Sequence, residues 1–130
     1  MRIPEKSDLP LKAKTQEIEM GPDLFEKFHK SFLSQDDKNI PATYGCVALS
    51  GVFEIVNSLK VDWTKLLHGS QSFEYLSWPQ FPVKCQAQAS LIDCKIRAGL
   101  VWLQFETMLT EKKSGNAFLK SKTLIMVKEK

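Results

Sequence analysis

The sequence predicts an α+β protein in which a curved antiparallel sheet wraps around a central helix, and three observations lead there. Residues 41–59 are apolar nearly all round, as expected of a helix buried on most of its faces. From residue 70 onward, period-two alternation takes over in four successive stretches. Those stretches are punctuated by Pro79, Pro82 and the turn-forming run Lys112-Lys113-Ser114-Gly115-Asn116. A buried helix needs a wrapping, and in a chain of 130 residues the β-rich second half is the material available.

Taken in order, residues 11–20 alternate imperfectly and predict a short strand closed by Gly21-Pro22. Pro22 suits the first turn of a helix, Asp23 and Glu26 favour its positive end, and Leu24, Phe25, Phe28 and Phe32 share one face. This predicts an amphipathic helix over 22–34. A polar connector follows over 34–39, and Pro41 can open the central helix because its missing N–H is lost at no cost there. Gly45 and Gly51 each lower helix propensity by up to about 1 kcal/mol relative to alanine, so they are read as serving close packing on the sheet. Residues 60–69 read as a second connector whose Val61, Trp63, Leu66 and Leu67 pack at one end of the body.

The predicted strands cover 70–78, 83–93, 100–110 and 117–127. In the second, Val83, Cys85, Ala87, Ala89 and Leu91 share a face whose small residues leave room for a helix or a ligand. In the third, Val101, Leu103, Phe105, Thr107 and Leu109 fall together. The turn at 112–116 makes the last two strands antiparallel neighbours.

Composition narrows the function classes. A hydrophobic fraction of 43% with 25% charged residues describes a globular chain of one domain, with 1–10 expected to be a flexible leader to it. A net charge of +3, partly gathered at Lys120, Lys122, Lys128 and Lys130, argues against nucleic acid as the partner and suits an anionic cofactor-tailed thioester equally well. Cys46, Cys85 and Cys94 are odd in number and lack CxxC spacing, so they read as reduced cytosolic thiols, with neither a disulfide framework nor a zinc site. The first residues lack an apolar signal-peptide region, and no run approaches the ~18 apolar residues of a membrane span. The expectation is a cytoplasmic protein with no membrane partner, no metal and no cofactor.

Strand, amphipathic helix, buried central helix and four strands is the order of elements in the hotdog fold. The segment Leu67-His68-Gly69-Ser70-Gln71-Ser72-Phe73-Glu74-Tyr75 resembles the LHGxQxFEY segment of the MaoC-like dehydratase family, and specifically its N-terminal, fatty-acid-synthase-type dehydratase domain. Gly21-Pro22-Asp23-Leu24-Phe25-Glu26-Lys27-Phe28 is similar to the family's opening helix, and the resemblance spans residues 9–127. It implies a homodimer, or a heterodimer with another hotdog subunit, with the central helices side by side and acyl-thioester tunnels between protomers. Members bind acyl chains carried on coenzyme A or acyl carrier protein, and the active ones add or remove water at the 2,3-double bond. The hydratase motif of active members reads Asp-x-Asn-Pro-x-His. This chain has Asp37-Lys38-Asn39-Ile40-Pro41 and then Ala42-Thr43-Tyr44, without the histidine and with a shortened connector. Hydration of an enoyl thioester needs both a base for water and an acid for the α-carbon, so the pair is incomplete. The chain resembles non-catalytic members that shape the tunnel for an active partner.

Several residues remain candidates. His68 either fixes the start of the 70–78 strand by hydrogen bonds or faces the tunnel, whereas His29 falls among charged neighbours on the opening helix. Glu54 is the one charge within the central helix. It either points to solvent or pairs with Lys60, or, as in hotdog thioesterases, serves as base or nucleophile. Asp36, Asp37 and Asn39 are turn and cap residues or hydratase remnants, and Asp37 with His68 would make an atypical hydratase pair. The helix start around Tyr44 and Gly45 presents free N–H groups able to polarise a thioester carbonyl. Phe73, Tyr75, Trp78 and Phe81 either pack the core or line an acyl crevice. Cys46 has no activating histidine nearby in sequence.

Overall fold

The computed structural model describes residues 1–20, 50–77, 79 and 83–128. The expected opening helix over 22–34, the connector with Asp36, Asp37 and Asn39, the first half of the central helix with Tyr44, Gly45 and Cys46, and Trp78 and Phe81 lie outside the described residues.

Six strands form one antiparallel sheet: β1 (Leu11–Lys12), β2 (Gln16–Met20), β3 (Leu66–Tyr75), β4 (Val83–Arg97), β5 (Leu100–Glu111) and β6 (Ala117–Lys128). The order across the sheet is β1-β4-β5-β6-β3, with β2 continuing β1 along the same edge of β4. The single strand expected over 11–20 is therefore two, separated at Ala13–Thr15. There the Ala13 N–H still donates to the Ala89 carbonyl, and the Gln88 side chain donates back to the Ala13 carbonyl. Ahead of β1, in the leader segment, Lys6–Asp8 forms a 3-10 turn and the Arg2 N–H donates to the Leu59 carbonyl.

Helix α1 (Ser50–Ser58) lies on the concave face, packed against β4 and β5. Gly51, Val52, Ile55 and Val56 face the sheet and, with Leu59, Leu91, Val101, Leu103 and Phe105, build the core. The close packing expected at Gly51 is present: a Cβ there would stand 2.7 Å from the Cβ of Ala89. Burial on most faces is not what the described turns show. Phe53, Glu54 and Asn57 are exposed, and the Phe53 ring, 46% exposed, meets only the edge of Trp63 at a centroid distance of 5.8 Å. The helix is apolar all round, yet a single sheet has only one concave face to bury it.

Two strands differ from their expected limits because each carries a bulge. In β4 the inward series Cys85, Ala87, Ala89, Leu91 resumes as Cys94 after the register shift between Leu91 and Asp93, and the strand continues to Arg97. In β3 the shift falls between His68 and Ser70, so Leu66–Gly69, expected as connector, belongs to the strand. Gly69 sits at that bulge, where a Cβ would press to 3.1 Å from the Met126 side chain and 3.2 Å from Leu124. The turn after β5 follows expectation, with Gly115 at φ +75° and its N–H donating to Glu111.

Candidate functional site

Side chains directly opposite one another in an antiparallel ladder point to the same side of the sheet. His68 pairs with buried Ile125, Gln71 with Thr123, Phe73 with Ser121 and Tyr75 with buried Leu119. His68, Gln71, Phe73 and Tyr75 therefore share the concave face of β3, whose other edge carries no strand among the described residues. Phe73 and Tyr75 are half-buried and form an aromatic wall there, the kind of surface on which an alkyl chain packs.

His68 does not cap the strand start. It stands inside β3, exposed, with Nε2 3.1 Å from its own strand's Ser70 carbonyl. A carbonyl only accepts, so Nε2 must carry the hydrogen in this contact, leaving Nδ1 as the nitrogen able to take a proton. No carboxylate contacts the ring among the described residues, and a lone histidine is not a mechanism.

Gln71, not singled out from the sequence, is the organising residue between them. Its amide donates to Ser121 Oγ at 2.5 Å, and its carbonyl accepts from Thr123 Oγ1 at 2.6 Å. Ser121 and Thr123 are buried polar residues, as is Thr107, which faces Ser121 across the β5–β6 ladder. The available signal was phase: all three stand at inward positions of otherwise apolar strands, where a hydroxyl needs a reason.

Glu54 is placed elsewhere. Its carboxylate is exposed and accepts the Lys14 N–H at 2.9 Å, tying α1 to the break between β1 and β2. That break lies on the β4 edge of the sheet, four strand spacings of about 4.8 Å from β3. Within one chain the structure thus brings together His68, Phe73 and Tyr75 and leaves Glu54 apart from them. The thiols offer no nucleophile either. Burial pushes Cys85 up to about 11, and burial together with the Asp93 carboxylate raises Cys94, so both are protonated at neutral pH. Among the described residues no group of three His, Cys, Asp or Glu side chains could hold a metal, and no helix is long and apolar enough to cross a membrane.

No protein-family model matches the sequence, and no curated protein matches it either. Solved structures do match. The 3R-hydroxyacyl-ACP dehydratase complex HadBC of Mycobacterium tuberculosis superimposes with a TM-score of 0.73 at 13% identity, over 90% of this chain and 95% of that one. A MaoC-like dehydratase gives 0.64 at 10% identity, over 86% of this chain and 41% of that one. A hypothetical thioesterase from Streptococcus pneumoniae, solved with coenzyme A, gives 0.58 at 12% identity, over 87% and 76%. The strand order, the helix in the concavity and these superpositions agree: this chain has the hotdog fold, and its structural neighbours are MaoC-like dehydratases and related hotdog proteins.

Proposed function

We propose that this protein binds an acyl thioester, carried on coenzyme A or acyl carrier protein, against the concave face of β3, as a hotdog subunit without the standard hydratase pair. One observation carries the reading: an edge strand presents His68, Gln71, Phe73 and Tyr75 together on its concave side, with the far edge open to a second protomer. The half-buried aromatics supply an apolar wall for the chain, and the open edge lets a partner close the other side of a tunnel. The fold shared with HadBC, a complex of dehydratase subunits, supports a hotdog partner, either a second copy or a different subunit. Asp37-Lys38-Asn39-Ile40-Pro41 lacks the following histidine, so proton transfer at the α-carbon has no evident acid.

The competing readings are a thioesterase using Glu54 and a hydratase using His68 with Asp37. The first is weakened by the Lys14 N–H already bound to the Glu54 carboxylate, at the sheet edge away from β3. The test is a binding and turnover measurement on the purified chain. Calorimetry with decanoyl-CoA is expected to show binding, while hydration of crotonyl-CoA stays at background, because a missing acid–base group forfeits ~10²–10⁴-fold in rate. Robust hydration abolished by His68→Ala would establish the hydratase instead. Thiol release abolished by Glu54→Gln would establish the thioesterase.

A further inference from the structure

The concave face holds one polar group without a partner. Thr107 Oγ1 is buried, the residue being 1% exposed, and it makes no hydrogen bond among the described residues. Such a hydroxyl has lost its water without replacement, which native interiors seldom tolerate. It is not isolated. Thr107 lies between Ala89 and Ser121 in adjacent ladders, and Ser121 is itself 1% exposed.

The neighbouring network decides what remains available. Gln71 donates to Ser121 and accepts from Thr123, so its amide is held in one orientation with both ends engaged. Ser121 Oγ is an acceptor in that contact and keeps its own hydrogen for another acceptor. Thr107 keeps both its hydrogen and its lone pairs. Two hydroxyl donors on directly opposed residues, with Cβ atoms about 5 Å apart, can converge on one oxygen atom. The surrounding concave rows, Leu91–Phe105–Thr123–Gln71, Ala89–Thr107–Ser121–Phe73 and Ala87–Leu109–Leu119–Tyr75, contain no charged side chain. An ionised ligand group would be buried there unpaired at a cost of several kcal/mol, so the matching group is a neutral oxygen on an otherwise apolar chain.

We infer that Thr107 and Ser121, oriented by Gln71, form a specificity-determining subsite for a hydroxyl or keto oxygen borne by the acyl chain. This rests on the acyl-thioester reading and adds to it the class of acyl group: oxygenated rather than plain alkyl. The oxygen can lie near the thioester or at the far end of the chain, and the probes separate these.

Calorimetry on the full chain with decanoyl-CoA, 3-hydroxydecanoyl-CoA and 10-hydroxydecanoyl-CoA is the test. One hydroxylated probe is expected to bind about 10-fold tighter than decanoyl-CoA, the equivalent of roughly 1.4 kcal/mol and close to one buried hydrogen bond. Thr107→Val removes only the hydroxyl and should bring the two affinities together, while Thr107→Ser, which keeps the hydroxyl, should retain the preference. Equal binding of all three probes to the unaltered protein, or a preference that survives Thr107→Val, would overturn the subsite, and a trapped water would then be the partner of Thr107. If decanoyl-CoA and both hydroxylated probes fail to bind, the acyl-thioester reading falls and the subsite with it.

Discussion

Glu54 shows how a residue's chemistry depends on which neighbour reaches it. As the one charge in the run 41–59 it stands out, and a carboxylate on a buried helix is a reasonable base. In the folded chain it is exposed and serves as an acceptor for the Lys14 N–H, a contact across 40 positions of sequence that no local pattern encodes. Glu54→Gln keeps a carbonyl for that N–H and should leave stability unchanged in urea titration, whereas Glu54→Ala should cost about 1 kcal/mol. Equal losses in both variants would mean that charge, not the hydrogen bond, holds the tie. His68, Phe73 and Tyr75 were legible as candidates because they lie in one segment with a recognisable wording. Gln71, Ser121, Thr123 and Thr107 come from three strands, and only the ladder register makes them neighbours.

At the level of elements, the strands were legible wherever alternation is unbroken, as in β5 and β6, whose inward residues keep a single phase for most of their length. The limits of β3 and β4 were not, because each bulge adds a residue and inverts the phase, so a continuous strand reads as a strand next to a connector. The helix gives the sharper case. Gly→Ala inside a helix ordinarily gains up to about 1 kcal/mol. At Gly51 the added methyl would meet Ala89 Cβ at 2.7 Å, so α1 would have to lift from β4. Gly51→Ala should therefore destabilise the protein by about 1–3 kcal/mol, the usual cost of overpacking. Thermal unfolding of that variant at or above the parent Tm would show that the helix is free to shift.

For the whole molecule, the sheet ends at β3 with an edge unpaired among the described residues, and Phe53, Trp63 and Leu67 are 46%, 47% and 45% exposed. An open edge of ten residues and large exposed apolar side chains are liabilities that a second protomer would cover. Light scattering after size exclusion is expected to give about twice 14.8 kDa at micromolar concentration. Ser72→Lys on β3 should weaken the dimer more than Lys122→Glu on β6, and a parent protein of one chain mass would refute the pairing. The sequence by itself determined the fold class, since apolar period and its change near residue 70 depend only on local order. It also determined the absence of the hydratase histidine, which is a matter of residue identity. Only the tertiary structure decided which face of α1 is buried, that Glu54 and His68 stand at opposite edges, and that four polar side chains gather on the concave face. Those outcomes depend on strand order and register, which are set by contacts between residues far apart in the chain.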